Sequence, residues 1–128
     1  MLKVCCAIIE YNSKVLVAQR PQGKLVPLKW EFPGGKVEPG ESTIACIVRE
    51  IKEELQMDVE VVKELTPVVH YYEDFSLELI PFVCRVSSEH YHAYEHSKVE
   101  WATVEQLPFY DWAEADIPIM KEYILQKL

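Results

Sequence analysis

The stretch Gly34–Met57, GGKVEPGESTIACIVREIKEELQM, constrains this chain more than any other. It opens on a glycine-rich turn, passes through Pro39-Gly40-Glu41-Ser42 and becomes a helix. Ile44, Ile47, Val48, Ile51 and Leu55 recur at three- and four-residue steps, the spacing of a buried stripe. Ser42 is suited to cap the first turn. A neighbouring face carries Glu50, Glu53 and Glu54, whose i, i+3, i+4 spacing projects three carboxylates together. Like charges so placed repel, at ~0.2–0.5 kcal/mol per pair. One explanation is a plain solvated acidic face. The other is a hard divalent cation, since Mg2+ takes oxygen ligands and is commonly held by one or two carboxylates plus substrate phosphates.

The residues ahead of the helix weigh between these. Gly35 is followed after five residues by Glu41, and after seven more by Arg49-Glu50, then Ile51, Glu53, Glu54 and Met57. This arrangement resembles the Nudix box, G-x5-E-x7-R-E-U-x-E-E-x-G-U with U a bulky aliphatic residue. A motif spread over so many positions is far more specific than a lone glycine pattern. One position departs from it. Gln56 stands where the family carries a helix-ending glycine, which bears on the shape of that turn and not on the acidic residues.

The rest of the chain fits around this helix. At 128 residues it reads as one domain, 1–128, with room for a core. Residues 2–10 read as a buried strand, 11–13 as a turn and 14–20 as the returning strand of a hairpin. Residues 21–29, with Pro21, Gly23 and Pro27, read as a loop. Residues 58–72 read as a strand interrupted by Pro67. Residues 75–86 read as another, in which Pro81 signals an edge or a bulge. Residues 87–96 read as a polar and aromatic loop, 98–103 as a short strand and 116–128 as a closing helix. Strands and hairpins around one central helix, with a second at the end, suggest an α/β sandwich: a mixed sheet between helices.

Net charge is −8, which speaks against a nucleic-acid polymer as partner. It also means that a polyphosphate is repelled unless metal ions intervene. Cys5, Cys6, Cys46 and Cys84 show no C-x-x-C spacing, so they read as reduced, partly buried thiols of a cytoplasmic protein and not as a zinc site. Cys5 and Cys6 should face opposite sides of their strand. The apolar start is too short for a membrane span, and its flanks do not read as a signal peptide.

The resemblance implies more. It extends over nearly the whole chain to MutT-type nucleoside triphosphate pyrophosphohydrolases, and YEHSKVEW with EADIPIM looks most like the CTP pyrophosphohydrolase branch. It implies the Nudix α/β/α sandwich with a central mixed sheet. It implies Mg2+, with Mn2+ able to substitute, on Glu50, Glu53, Glu54 and the Gly35 carbonyl. Glu95, six residues before Trp101, matches a distal glutamate that serves the metal or the water. Arg49 can reach Glu53 at i+4, against the alternative of an ordinary surface ion pair, and Glu41 ties the loop to the helix. Arg20 matches a phosphate contact. Asp116 matches a base-contacting position, although it also begins the last helix, where Asp is a favoured cap. Ionised, it would only accept hydrogen bonds. Phe32 is the candidate for stacking on a base, while Phe75, Tyr110 and Trp112 read as core. His90, His92 and His96 read as solvated or locally bonded loop residues and not as a second metal cluster.

The expected activity is Mg2+-dependent cleavage of a nucleoside triphosphate, CTP-like or with a modified base, to the monophosphate and pyrophosphate. The expected partner is that small nucleotide, with no membrane, and the chain is compatible with a monomer or a homodimer. The alternatives are a Nudix pyrophosphatase for a nucleotide sugar such as ADP-ribose, or a non-catalytic nucleotide-binding regulator.

Overall fold

The computed structural model describes residues 1–23 and 27–128, so the loop expected over 21–29 lies partly outside the described residues. The first hairpin joins β1 (Leu2–Tyr11) to β2 (Lys14–Gln19). Asn12 and Ser13 both take positive φ between them, the backbone that matches the twist of a two-residue hairpin loop. Six further strands follow: β3 (Trp30–Glu31), β4 (Gly34–Lys36), β5 (Glu60–Glu64), β6 (Val68–Tyr71), β7 (Ser76–Arg85) and β8 (Lys98–Ala102). They form one sheet in the order β3-β2-β1-β7-β5, with β4 beside β1, β6 beside β7 and β8 beside β2. The β1–β7 pair is parallel and the others are antiparallel, so the sheet is mixed.

One helix packs on each face. Helix α1 (Thr43–Leu55) lies over Cys5, Ala7, Ile9 and Leu16. Helix α2 (Ile117–Gln126) and the two 3-10 turns before it lie over Cys6, Ile8, Val15 and Val17. Strand alternation therefore sends the adjacent Cys5 and Cys6 into different cores, as expected. All four cysteines are fully buried thiols, where partial burial was expected.

Several expectations need correction. Residues 34–36 are not a turn but the short strand β4, paired with Val4–Cys6. Gly34 is required there because a Cβ would lie 1.9 Å from the Cys5 carbonyl oxygen. Pro81 is on neither an edge nor a bulge, since β7 runs between β1 and the β5/β6 side. Its carbonyl accepts from Leu65, on the side where β5 has ended and β6 has not begun. A strand residue directs its N–H to the same side as its C=O, so the missing donor falls in that gap. The strand expected over 58–72 is split at the same place.

Ile44 and Val48 were expected in the buried stripe, yet they are 52% and 41% exposed. The seam runs through Cys46, Ile47, Ile51 and Leu55, which face β4, β1 and β5. Periodicity locates a helix face, but the width of the partner surface decides how much of it is covered. The last helix begins one residue later than expected and ends at Gln126, because Glu114–Asp116 form a 3-10 turn.

Candidate active site

Ser42 accepts a hydrogen bond from the Ala45 N–H at 3.1 Å and starts α1 as its N-cap. Arg49 then ties the acidic face to the loop before it. Its Nε and Nη2 hold both oxygens of Glu41, at 2.6 and 2.9 Å. Its Nη1 reaches Glu50 at 2.8 Å and Glu53 at 3.2 Å, and Nη2 also meets the Lys36 carbonyl at 3.2 Å. The hydrogen bonds from Arg49 pull the Glu41 carboxyl down to about 2. Gly35 lies so close to the Glu50 carboxyl that a Cβ would come within 2.2 Å of it. The β4 backbone thus meets the acidic helix face at a point only glycine can occupy.

The far end of α1 has its own construction. Gln56 takes the left-handed conformation, φ 56° and ψ 35°, and its N–H bonds the Lys52 carbonyl. The turn that glycine makes in the family is therefore kept here by glutamine, against a steric cost of ~1–2 kcal/mol. The last carbonyls of a helix lack partners within it. Here the segment 87–97 supplies them: the His92 N–H bonds Leu55 O at 2.9 Å and the Tyr94 N–H bonds Glu54 O at 3.3 Å. Glu95, the next residue, is thereby delivered beside Glu54.

Glu54 is the most unusual group of the set. One of its carboxyl oxygens is buried without a hydrogen-bond partner among the described residues. Burial, reinforced by the neighbouring charges of Glu31, Glu50 and Glu95, pushes its pKa up to about 9. Glu50 is raised as well, by burial. For Glu50 the Arg49 guanidinium offsets part of this effect, whereas Glu54 makes no ion pair within hydrogen-bond distance among the described residues.

A cavity of about 270 Å3 is lined by Gly35, Glu54, Glu95, Phe32, Ala115 and Asp116, with Arg20, Glu31 and His96 also in its lining. Arg20 pairs with Glu31 at 2.8 Å. Asp116, 5% exposed, accepts the Phe32 N–H at 2.9 Å. Its side chain makes no capping bond to α2, so the cap expected of it is not formed. Burial pushes its pKa well up, with Glu31 adding to the effect. The carboxyl acts as an acceptor toward Phe32, as expected, while its burial favours the neutral acid, which also carries a donor. Phe32 is 2% exposed, its ring against Trp112 at 4.7 Å between centroids. Phe75, expected in the core, instead stacks on Tyr72 at 4.9 Å, and both line the cavity. Glu50 and Glu53 stand by the Arg49 guanidinium outside this lining, Glu53 at the surface.

The donor set suits a hard divalent ion. It consists of carboxylate and carbonyl oxygens, one carboxylate oxygen is buried and unpartnered, and the Gly35 backbone stands against Glu50 with no side chain between. Among the described residues no three of His, Cys, Asp and Glu are already gathered as an ion cage, because Glu50 and Glu53 are turned to Arg49.

The profile of the NUDIX domain matches residues 1–123. The chain is a Nudix hydrolase. It is 34% identical over 131 residues to the CTP pyrophosphohydrolase of Escherichia coli K12, covering 97% of this chain and 92% of that protein. It is 36% identical over 76 residues to the 8-oxo-dGTP diphosphatase of Proteus vulgaris, covering 59% of this chain and 68% of that protein. The solution structure of the E. coli ORF135 protein superposes with a TM-score of 0.84 at 34% identity, over 99% of this chain and 91% of that one.

Sequence reasoning about this Nudix hydrolase missed three cavity residues. Glu31 was visible only as part of the run entering the box, and nothing local marks it as the partner of Arg20 and His96. Tyr72, whose hydroxyl accepts the Ala115 N–H at 3.0 Å, carried no signal beyond being aromatic. His96 was read as a loop histidine, but its side chain is 4% exposed and reaches Glu31, 65 positions away in the chain. Its burial depends on where the loop docks, which loop composition does not reveal. Among the described residues no helix is long and apolar enough to cross a membrane.

Proposed function

We propose that this domain, residues 1–128, hydrolyses a nucleoside triphosphate to the monophosphate and pyrophosphate in the presence of Mg2+. The favoured base is cytosine-like or a modified or oxidised one. Glu54 carries this assignment: a carboxyl with one buried, unpartnered oxygen, close to the charges of Glu31, Glu50 and Glu95, in the lining of a cavity that Asp116 also lines. A fold gains nothing from such a group, whereas a cation supplies what it lacks. Similarity to a CTP pyrophosphohydrolase along nearly the full length supports the substrate class, and similarity to an 8-oxo-dGTP diphosphatase supports the modified-base branch.

Glu50, Glu53, Glu54, Glu95 and the Gly35 carbonyl would hold Mg2+, with Mn2+ a substitute. When bound, the ion neutralises phosphate charge and makes a water more acidic. The other roles belong to side chains. Whichever of Glu53, Glu54 and Glu95 is left off the ion takes the one proton released by the water that attacks the β-phosphorus. Arg49 holds Glu50 and Glu53 in place against the Glu41 loop. Arg20 binds a phosphate. Phe32 flanks the base, and Asp116 reads its edge. As the neutral acid, Asp116 offers both a donor and an acceptor, which suits the adjacent N3 acceptor and N4 amino donor of cytosine. The four buried thiols support a cytoplasmic setting, and the acidic surface disfavours a nucleic-acid polymer.

The test is a panel of normal, methylated and oxidised nucleoside triphosphates, scored by kcat/KM and by pyrophosphate release with Mg2+. Cytosine or modified-base triphosphates are expected at the top. Cleavage of nucleotide sugars with no triphosphate turned over would overturn the proposal.

A further inference from the structure

His96 is a polar side chain of the cavity lining to which the proposed chemistry gives no task. Its Nε2 lies 3.0 Å from Glu31 Oε2, while the other oxygen of Glu31 is paired with Arg20 at 2.8 Å. A carboxylate in an ion pair only accepts, so Nε2 carries the ring hydrogen. In a neutral imidazole that leaves Nδ1 as a bare acceptor. Nδ1 is buried and has no partner among the described residues, and the side chain is 4% exposed. A ring nitrogen hidden from water in this way is unfavourable unless a ligand meets it.

The position of His96 narrows what that ligand group is. Glu54, Gly35 and Glu95 line the cavity together with Phe32 and Asp116, which are bonded to each other. Glu31 precedes Phe32, whose N–H bonds Asp116, it lines the same cavity as Glu54, and His96 is bonded to it. A nucleoside triphosphate that places its phosphates by the glutamates and its base by Asp116 has its sugar between them, within the cavity that Glu31 and His96 also line. The donors a sugar offers are hydroxyls. We infer that His96 Nδ1 accepts a hydrogen bond from a sugar hydroxyl of the nucleotide, so that His96 is a substrate-binding residue held in orientation by Glu31. This rests on the nucleotide reading given above.

The experiment compares CTP with its 2′-deoxy and 3′-deoxy forms on the wild type, His96→Gln and His96→Asn. The glutamine amide nitrogen occupies the place of Nε2, which keeps the Glu31 bond and removes the acceptor. The asparagine amide occupies the place of Nδ1, which keeps an acceptor and loses the Glu31 bond. In the wild type, removal of one of the two hydroxyls is expected to lower kcat/KM roughly tenfold, mainly through KM, the effect of one ordinary hydrogen bond. That penalty should shrink below about twofold in His96→Gln and persist in His96→Asn. The deoxy form that shows it identifies the hydroxyl. An equal penalty in the wild type and His96→Gln overturns the inference. So does a wild type indifferent to both hydroxyls, whatever the variants do. In either case efficient wild-type turnover of CTP leaves the nucleotide reading standing, whereas a wild type inert on every triphosphate removes both.

Discussion

Replacing Glu54 with Gln tests the site through stability alone, without a substrate. Burial and the charges of Glu31, Glu50 and Glu95 raise the folded carboxyl from 4.5 to about 9. Below pH 4.5 both folded and unfolded chains keep the proton. Between 4.5 and 9 the folded chain keeps it and the unfolded chain has lost it, so stability declines as pH rises through that window. By pH 7 the decline attributable to this one group is roughly 3 kcal/mol, at about 1.4 kcal/mol per pH unit. Gln keeps the shape of the neutral acid and takes up no proton. In chelator at pH 7, Glu54→Gln is therefore expected to be more stable than wild type by about 2–3 kcal/mol, or roughly 8–12 °C in Tm. The advantage should shrink toward pH 5. Mg2+ should narrow or reverse it, because a cation displaces the proton and stabilises the folded wild type by mass action. Circular-dichroism melts across this pH range, with EDTA or Mg2+, measure all of this. A variant less stable than wild type at pH 7–8 in EDTA would refute the account of Glu54, and equal Mg2+ shifts in both proteins would refute its role as a ligand.

Three further outcomes are expected. Glu53→Gln and Glu95→Gln should each lower kcat, Glu53→Gln by about 100- to 1000-fold if it contributes as a transition-state contact usually does. Rates within a few-fold of wild type, with unchanged Mg2+ dependence, would remove them from the site. Gln56→Gly should raise stability by about 1 kcal/mol in urea melts, because glycine takes a positive φ without strain; a drop would show that the glutamine side chain supports the turn. Asp116→Asn keeps an acceptor for the Phe32 N–H, so stability should change little, while the ranking of cytosine, guanine and uracil triphosphates should shift. An unchanged ranking would leave Asp116 a structural residue.

The acidic helix was legible in the sequence because its determinants are local. Ser42 caps three residues ahead, and Arg49, Glu50 and Glu53 meet within one turn. The mixed-sheet sandwich followed from strand-like segments around that helix together with the family pattern. What stayed hidden depends on distant partners. Asp116 looked like a cap because its sequence neighbours begin a helix, yet its carboxyl bonds Phe32, 84 positions away. Pro81 looked like an edge residue because nothing nearby tells that β5 stops opposite it. Gly34 looked like a turn because glycine promotes turns and close backbone approach alike, and only the Cys5 carbonyl distinguishes them. Ile44 and Val48 carried the right period, but the sheet beneath does not reach them.

The parallel pairing of β1 with β7 also fixes an order of events during synthesis. Every β1 residue from Leu2 to Glu10 waits for a partner 75 positions further along, from Leu77 to Arg85. At ~5–20 residues per second, ribosomal elongation leaves one edge of this apolar strand open for several seconds. The hairpin with β2 and the short contact with β4 can form early, but neither covers that edge. A nascent or truncated chain ending before Ser76 therefore presents Cys5–Ile9 as an unpaired β template, the kind of edge that recruits other chains. Pairing across so long a loop is the slow kind of step in folding, in contrast to formation of the local helix α1.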